Sequence, residues 1–281
     1  MLIDSHCHLD DYTDLSAILA NASSADVREV VAIGIGNGPH EMHVAVDIAH
    51  KHPNVWATVG VHPQEAHQVD VESLAILATL AADPKVIAIG EIGLDYYHAE
   101  NPDVDVQQRA FVDQMHIAIR AQKPITIHVR TSELAQPNAR ARFESHGNPH
   151  AAWDDLLRLL HESWKPAGLP GIMHCFSGNA DQARAALDLG FYLSFAGNVT
   201  YTKSAIIQDV ARWAPADRIL VETDAPFLTP VPMRGKTPQN EPAHTAHTAR
   251  FLAELRNTTP EAIAEQTTAN FRTLFPTTAA S

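Results

Sequence analysis

Six side chains with metal-ligating chemistry stand beside short apolar runs: His6, His8, Glu91, His128, His174 and Asp224. Side chains of an extended strand alternate between faces, so the His6-x-His8 spacing turns both imidazoles one way and Cys7 the other. Glu91 follows the run 86–90, His128 closes 125–128, His174 closes 171–174, and Asp224 follows 219–222. A single histidine at a strand end is an ordinary structural residue. Four imidazoles and two carboxylates brought together are harder to bury, because every polar atom needs a partner and a shared cation supplies one. Six donors exceed what one tetrahedral catalytic ion needs. Two divalent ions sharing a carboxylate use the whole set, and the bridge falls to Glu91, because a carboxylate bridges and an imidazole does not. Such a pair, about 3.5–4 Å apart, activates water and stabilises both oxygens of an in-line displacement. Imidazole and carboxylate accept Zn, Mn, Ni, Co or Mg alike, so the ion's identity stays open.

These donors meet only if the scaffold gathers five strand ends. Short apolar or β-branched runs recur at 2–4, 30–35, 56–60, 86–90, 125–128, 171–174, 191–195 and 219–222. They are nearly continuous, as parallel strands covered on both faces are. Helical spacing fills the intervals: Phe111, Met115 and Ala118 fall at i, i+4 and i+7, and Pro124 closes that stretch. Ala183, Ala186 and Leu187 form a similar pattern ahead of Gly190, a C-terminal stop. Strands alternating with helices in this way predict a (β/α)₈ barrel spanning 1–281, with a doubly wound open sheet as runner-up. Barrel enzymes build their sites at the C-terminal ends of the strands, where all six donors lie. Two helices finish the chain, the last starting at Thr259-Pro260 with proline in its first turn. Residues 227–242, rich in proline, read as an ordered loop, and 131–151 as an insertion after the fifth strand.

A length of 281 residues suits one such barrel, typically about 250 residues, better than two domains. Twenty basic against 33 acidic residues give a net charge of −13, which disfavours nonspecific duplex binding. It leaves room for a nucleic-acid enzyme whose positive charge arrives with metal. Cys7 and Cys175 are too few for a disulfide framework; they read as buried and inert in a reducing cytoplasm. No apolar run approaches the roughly 18 residues of a membrane span, and the first residues carry no secretory pattern. A cytoplasmic protein without membrane association, plausibly a monomer, is expected.

Longer motifs carry a resemblance. Ser5-His6-Cys7-His8-Leu9-Asp10, Gly90-Glu91-Ile92-Gly93-Leu94-Asp95-Tyr96, His174-Cys175-Phe176-Ser177-Gly178, Glu222-Thr223-Asp224-Ala225-Pro226 and Arg234-Gly235-Lys236 resemble the TatD family of metal-dependent DNases. The resemblance runs from Met1 to about Phe275. It implies a divalent-metal hydrolase of the amidohydrolase-like barrel superfamily, associated with 3′-to-5′ exonuclease action on single-stranded DNA. Carried over by position, its ligands are His6, His8, Glu91, His128, His174 and Asp224, the set the strand ends supply. The insertion 131–151 departs from the family pattern. Its Arg140, Arg142, His146 and His150 suggest phosphate contact, but Glu133 and Glu144 cancel the arginines, and a solvated surface loop is the reading kept.

Further residues are substrate-contact candidates. His62, after the third strand, matches a family position near substrate. Arg130 shares the inward face with His128, and Arg234 suits bidentate phosphate contact. Tyr96 and Phe176 are stacking candidates for a base, with ordinary packing as the competing reading. Glu222 reads as a structural partner. The leading function is a two-metal phosphodiesterase on single-stranded DNA with Asp224 as base. The alternative is a small-molecule amidohydrolase cleaving amide, ester or lactone. Many such barrels bridge their metals with a modified lysine, and Glu91 at the matching place favours the nuclease. A binding protein with a dead site is the third reading, disfavoured by the intact donor set.

Overall fold

A computed structural model describes residues 1–132, 135–144 and 148–280. Eight strands, β1 (Leu2–Cys7), β2 (Val27–Gly34), β3 (Val55–Val59), β4 (Val86–Asp95), β5 (Ile125–Arg130), β6 (Gly171–Met173), β7 (Phe191–Phe195) and β8 (Ile219–Val221), form one sheet. They pair in chain order, each parallel to the next. The ends meet at a bridge between Cys7 and Ala225, where the His8 amide donates to the Ala225 carbonyl at 2.8 Å. The expected eight-stranded barrel is therefore present. Its boundaries differ mainly at β4, which runs on to Asp95, at β1, which runs on to Cys7, and at β2, which starts at Val27.

Among the described residues, ten α-helices accompany the strands: α1 (Leu15–Ser24), α2 (His43–Lys51), α3 (Val71–Leu80), α4 (Val104–Ala121), α5 (Pro137–Phe143), α6 (Ala151–Leu159), α7 (Ala180–Asp188), α8 (Ala205–Trp213), α9 (Thr245–Leu255) and α10 (Pro260–Leu274). Side chains supply partners for their first free amides. Asp14 caps α1, Asp70 and Ser73 make a reciprocal box on α3, Asn179 and Gln182 do so on α7, and Thr259 caps α10. No helix among the described residues is long and apolar enough to cross a membrane.

Strand alternation divides the core. Val30, Ala32, Met173, Ile219 and Val221 join a large cluster with the helices, while their neighbours Val31, Ile33, Ile172 and Leu220 join a smaller one with Phe271, Leu274 and Phe275. In β1, Leu2 and Cys7 both belong to the large cluster although an odd number of residues apart. A register shift between Asp4 and Cys7 accommodates this, so Ser5, His6 and His8 are all free to face other neighbours. Glycine matters where β4 meets β5: a Cβ on Gly93 would lie 1.9 Å from the His128 carbonyl oxygen, at φ +147°.

The insertion is more than a solvated loop. Helix α5 buries Ala139 and Phe143. Arg140 pairs with Glu144 at 2.7 Å, and Arg142 pairs with Asp103 at 2.7 Å and donates to the Ala99 carbonyl. Both arginines are thus spent on the protein itself, and Glu133 and His146 lie outside the described residues.

Candidate active site

Glu91, on β4 and 3% exposed, is the hub of the barrel mouth. Its two oxygens face different histidines. Oε2 lies 3.3 Å from His6 Nε2 and 4.0 Å from His8 Nε2. Oε1 lies 2.6 Å from His128 Nδ1, 3.1 Å from His174 Nε2 and 3.5 Å from His62 Nε2. Asp224 Oδ1 closes the first side, 3.7 Å from His6 Nε2 and 3.5 Å from His8 Nε2. Asp224 reaches inward because β8 ends before it and the backbone turns at φ +55°. Its amide donates to the His6 carbonyl at 3.0 Å, fixing the turn against β1.

Outer groups aim the rings. Asp95 Oδ2 lies 3.5 Å from His128 Nε2, leaving Nδ1 toward Glu91. Glu222 takes the opposite nitrogen of His174, Nδ1 at 3.1 Å, leaving Nε2 toward Glu91. The Gln64 amide donates to His62 Nδ1 at 3.2 Å, so a neutral His62 carries its proton on Nε2.

Electrostatics follow from this crowding. Burial disfavours charge on Glu91, yet the imidazoles of His174, His62 and His128 outweigh it and hold the carboxyl well below its ordinary range. Asp224 is likewise lowered, burial being overcome by His8, His174 and His6. Burial opposes charge on His128 too, but Asp95 and Glu91 prevail and push it up to about 9. His174 rises well above the ordinary imidazole value, against burial, through Glu91 and Glu222. His62 and His6 move down, through burial and then a neighbouring imidazole. The carboxylates therefore stay negative, and without a cation the protons on His128 and His174 balance them.

The donor set fits a metal. Both ring nitrogens of His6 are buried without a hydrogen-bond partner, a costly state that coordination would relieve. Among the described residues, three groups offer ligand atoms within 4.8 Å of one another: His6, Glu91 and His174; His6, His8 and Asp224; His62, Glu91 and His128. They open on a cleft of about 870 Å³ lined in part by Asp10, Asp95, Tyr97, Arg130, Asn198 and Phe227.

A family model described as TatD related DNase matches residues 3–276. The chain belongs to the TatD family. It is 38% identical over 280 residues to the protein of Escherichia coli strain K12 named uncharacterized metal-dependent hydrolase YcfH, covering 98% of this chain and 95% of that one. To the 3′-5′ ssDNA/RNA exonuclease TatD of Salmonella typhimurium it is 34% identical over 266 residues, 93% of each. Among solved structures, the TatD homologue YJJV from Escherichia coli K12 superposes with a TM-score of 0.82 at 26% identity, covering 98% of both chains. This TatD-family chain is a metal-dependent hydrolase.

All six expected donors of the TatD-family chain converge on this mouth, and His62 and Arg130 join them in the cleft wall. The Arg130 guanidinium lies 3.7 Å from the Tyr97 ring centroid, and its Nη1 is 3.2 Å from His98 Nε2. Arg234 stands apart, exposed, its guanidinium 4.2 Å from the Tyr201 ring centroid. The stacking candidates need correction. Tyr96 is 1% exposed; its ring stacks on Phe143 at 5.5 Å and its hydroxyl donates to Asp155 at 3.0 Å. Phe176 is also 1% exposed, packed edge-on to Trp153 and Phe195. Neither ring has a face left for a base. Cys7 is buried as expected, whereas Cys175 is half-buried and lines the cleft. Burial pushes its thiol well above the ordinary value, which keeps it unreactive. Glu222 is the structural partner expected. Asp95, Tyr97 and Phe227 were not expected among the site residues, and alternation from Glu91 is the signal that finds the first two.

Proposed function

We propose that the chain is a phosphodiesterase that uses two divalent ions to remove nucleotides from the 3′ end of single-stranded DNA. The observation carrying this reading is the division of donors by Glu91: Oε2 with His6, His8 and Asp224 on one side, Oε1 with His128 and His174 on the other. Counting the shared Glu91, the second side has the three ligands of a catalytic ion with a position left open, and the first side has four, so a water joins it as a fifth ligand. When bound, such ions supply an activated water and charge stabilisation for both oxygens of the displacement.

The chain's own residues do the remainder. Asp224, whose carboxyl stays ionised, accepts the proton of the attacking water at a carboxylate oxygen. His62, held with Nε2–H toward the centre, donates to a phosphoryl oxygen. Arg130, with no carboxylate partner among the described residues, meets a second phosphate at the cleft wall. The name of the Salmonella relative, a 3′-5′ ssDNA/RNA exonuclease, supports the choice of substrate.

The test is hydrolysis of 5′-labelled single-stranded DNA by metal-reconstituted protein, beside a panel of amides, esters and lactones. A ladder shortening from the 3′ end is expected. Turnover confined to the small molecules would replace this reading with the amidohydrolase one.

A further inference from the structure

Aromatic and cationic groups that this chemistry leaves unused gather on the loops after β7 and β8. Phe227 is a large apolar side chain left in the open at the mouth. It is 56% exposed, lines the cleft, and stands edge-on to His8 with ring centroids 5.8 Å apart. Its backbone is fixed: the amide donates to the Asp224 carbonyl at 2.9 Å, and the carbonyl accepts from Asn240 Nδ2 at 2.6 Å. A firmly held main chain thus presents a bare phenyl ring beside the reacting centre.

The cations give an independent observation. Carboxylates neutralise Arg140, Arg142 and Arg272, and backbone carbonyls hold Lys85, Lys123 and Arg256. Among the described residues, the exposed charged groups of Lys203, Arg234 and Lys236 have no hydrogen-bonded or ion-paired partner; Arg234 only rests over Tyr201. Their loops make one continuous surface. The Leu228 carbonyl comes within 2.0 Å of where a Cβ on Gly197 would sit, the Tyr201 hydroxyl donates to the Thr229 carbonyl at 3.1 Å, and the Val231 amide donates to Thr200 Oγ1 at 2.9 Å. The face leads from Phe227 at the cleft to the free cations outside it.

We propose that this face is a track for single-stranded DNA, with a base beside the scissile phosphate stacked on Phe227 and the phosphates on its 5′ side along Lys203, Arg234 and Lys236. It rests on the phosphodiesterase reading and specifies how a polymer, rather than a small molecule, is held. Every base offers a π-face, so one phenyl ring serves any sequence. Unpaired cations in a chain of net charge −13 give the backbone a local path that the whole protein's field does not. A small substrate confined to the cleft has no use for them.

The test is fluorescence anisotropy of a 5′-fluorescein thymidine oligonucleotide, with the protein as purified and again in excess chelator so that no strand is cut. Phe227→Ala should weaken binding about tenfold, and Phe227→Trp should keep or improve it. Neutralising Lys203, Arg234 and Lys236 together should flatten the slope of log affinity against log salt by about 2, at roughly 0.7 per phosphate released. The control is Lys51→Ala with Arg120→Ala, at the C-terminal ends of α2 and α4 away from the mouth, where the slope should hold. Affinities and slopes matching wild type in both the Phe227→Ala and triple variants overturn the track. If wild type still cuts DNA in that case, the phosphodiesterase reading survives alone. If wild type binds the strand through these residues yet cuts no phosphodiester, the track stands and that reading falls.

Discussion

Glu222 Oε1 lies 3.1 Å from His174 Nδ1 and 2.6 Å from the Cys175 amide nitrogen, so one buried carboxylate orients both a ring and the turn that carries it. Glu222 Oε1 already accepts from the Cys175 amide, so His174 donates from Nδ1, and Nε2 is the nitrogen from which a cation beside Glu91 would displace the proton. Asp95 stands on the opposite side of His128, 3.5 Å from Nε2, while Nδ1 meets Glu91 at 2.6 Å. Outer carboxylates of this kind fix ligand tautomers and raise ligand basicity.

Glu222→Ala should therefore lower divalent-ion affinity by about 10–100-fold while every direct donor remains. Competition with a chromophoric chelator measures it. Wild-type affinity in this variant would show that His174 needs no orienting partner.

Glu91→Ala removes the group shared by both sides of the donor set. Elemental analysis of the purified variant should show loss of bound metal, with hydrolysis below detection and far-UV circular dichroism unchanged. Full metal content would rule out Glu91 as the bridge.

Asp224→Asn keeps the shape of the side chain and one oxygen facing His6 and His8, but removes its basic charge. Loss of a general base costs about 10²–10⁴ in rate. Turnover on single-stranded DNA should fall by that factor while oligonucleotide affinity stays near wild type. Normal cleavage by the variant would move the base elsewhere.

Metal removal should show a definite pH dependence. In metal-free protein the raised His128, near 9, and His174 contribute stability that is fully present below the ordinary imidazole value and lost as pH climbs through their folded values. The lowered Glu91 and Asp224 act oppositely, contributing above the ordinary carboxylate range and failing as pH falls through their folded values. A divalent ion must displace the imidazole protons. The rise in Tm on adding metal should therefore grow between about pH 6 and pH 8.5. Thermal melts with and without chelator test this, and an increment that shrinks with pH would contradict it.

Phe143 anchors the insertion against Tyr96. Phe143→Ala should cost about 3–5 kcal/mol of stability, read from urea unfolding. Tyr96→Phe, which loses the bond to Asp155 and the one accepted from Gln108, should cost about 1–2 kcal/mol. A Phe143→Ala loss under 1 kcal/mol would mean that α5 is not docked through this ring.

The convergence of the six side chains was legible in the sequence because strand ends obey a simple rule: a parallel barrel directs them to one mouth. Detail failed where periodicity stopped or was not followed. Alternation from Glu91 leads through Gly93 and Asp95 to Tyr97, turning Tyr96 outward, so the neighbouring aromatic was chosen wrongly. Phe176 and Phe227 sit in turns with no period to read, and one is buried while the other is bare. The docking of α5 depends on Phe143 meeting Tyr96, a contact between distant segments that neither segment announces.

The seam between β1 and β8 has a consequence for biosynthesis. His6 and His8 precede Asp224 by more than two hundred positions in the chain, yet the three share one side of the donor set. No nascent chain short of the last strand holds that side complete, and no proteolytic piece lacking either end can keep it. That side of the donor set is thus completed only when the barrel shuts, and the order of assembly decides when it first exists.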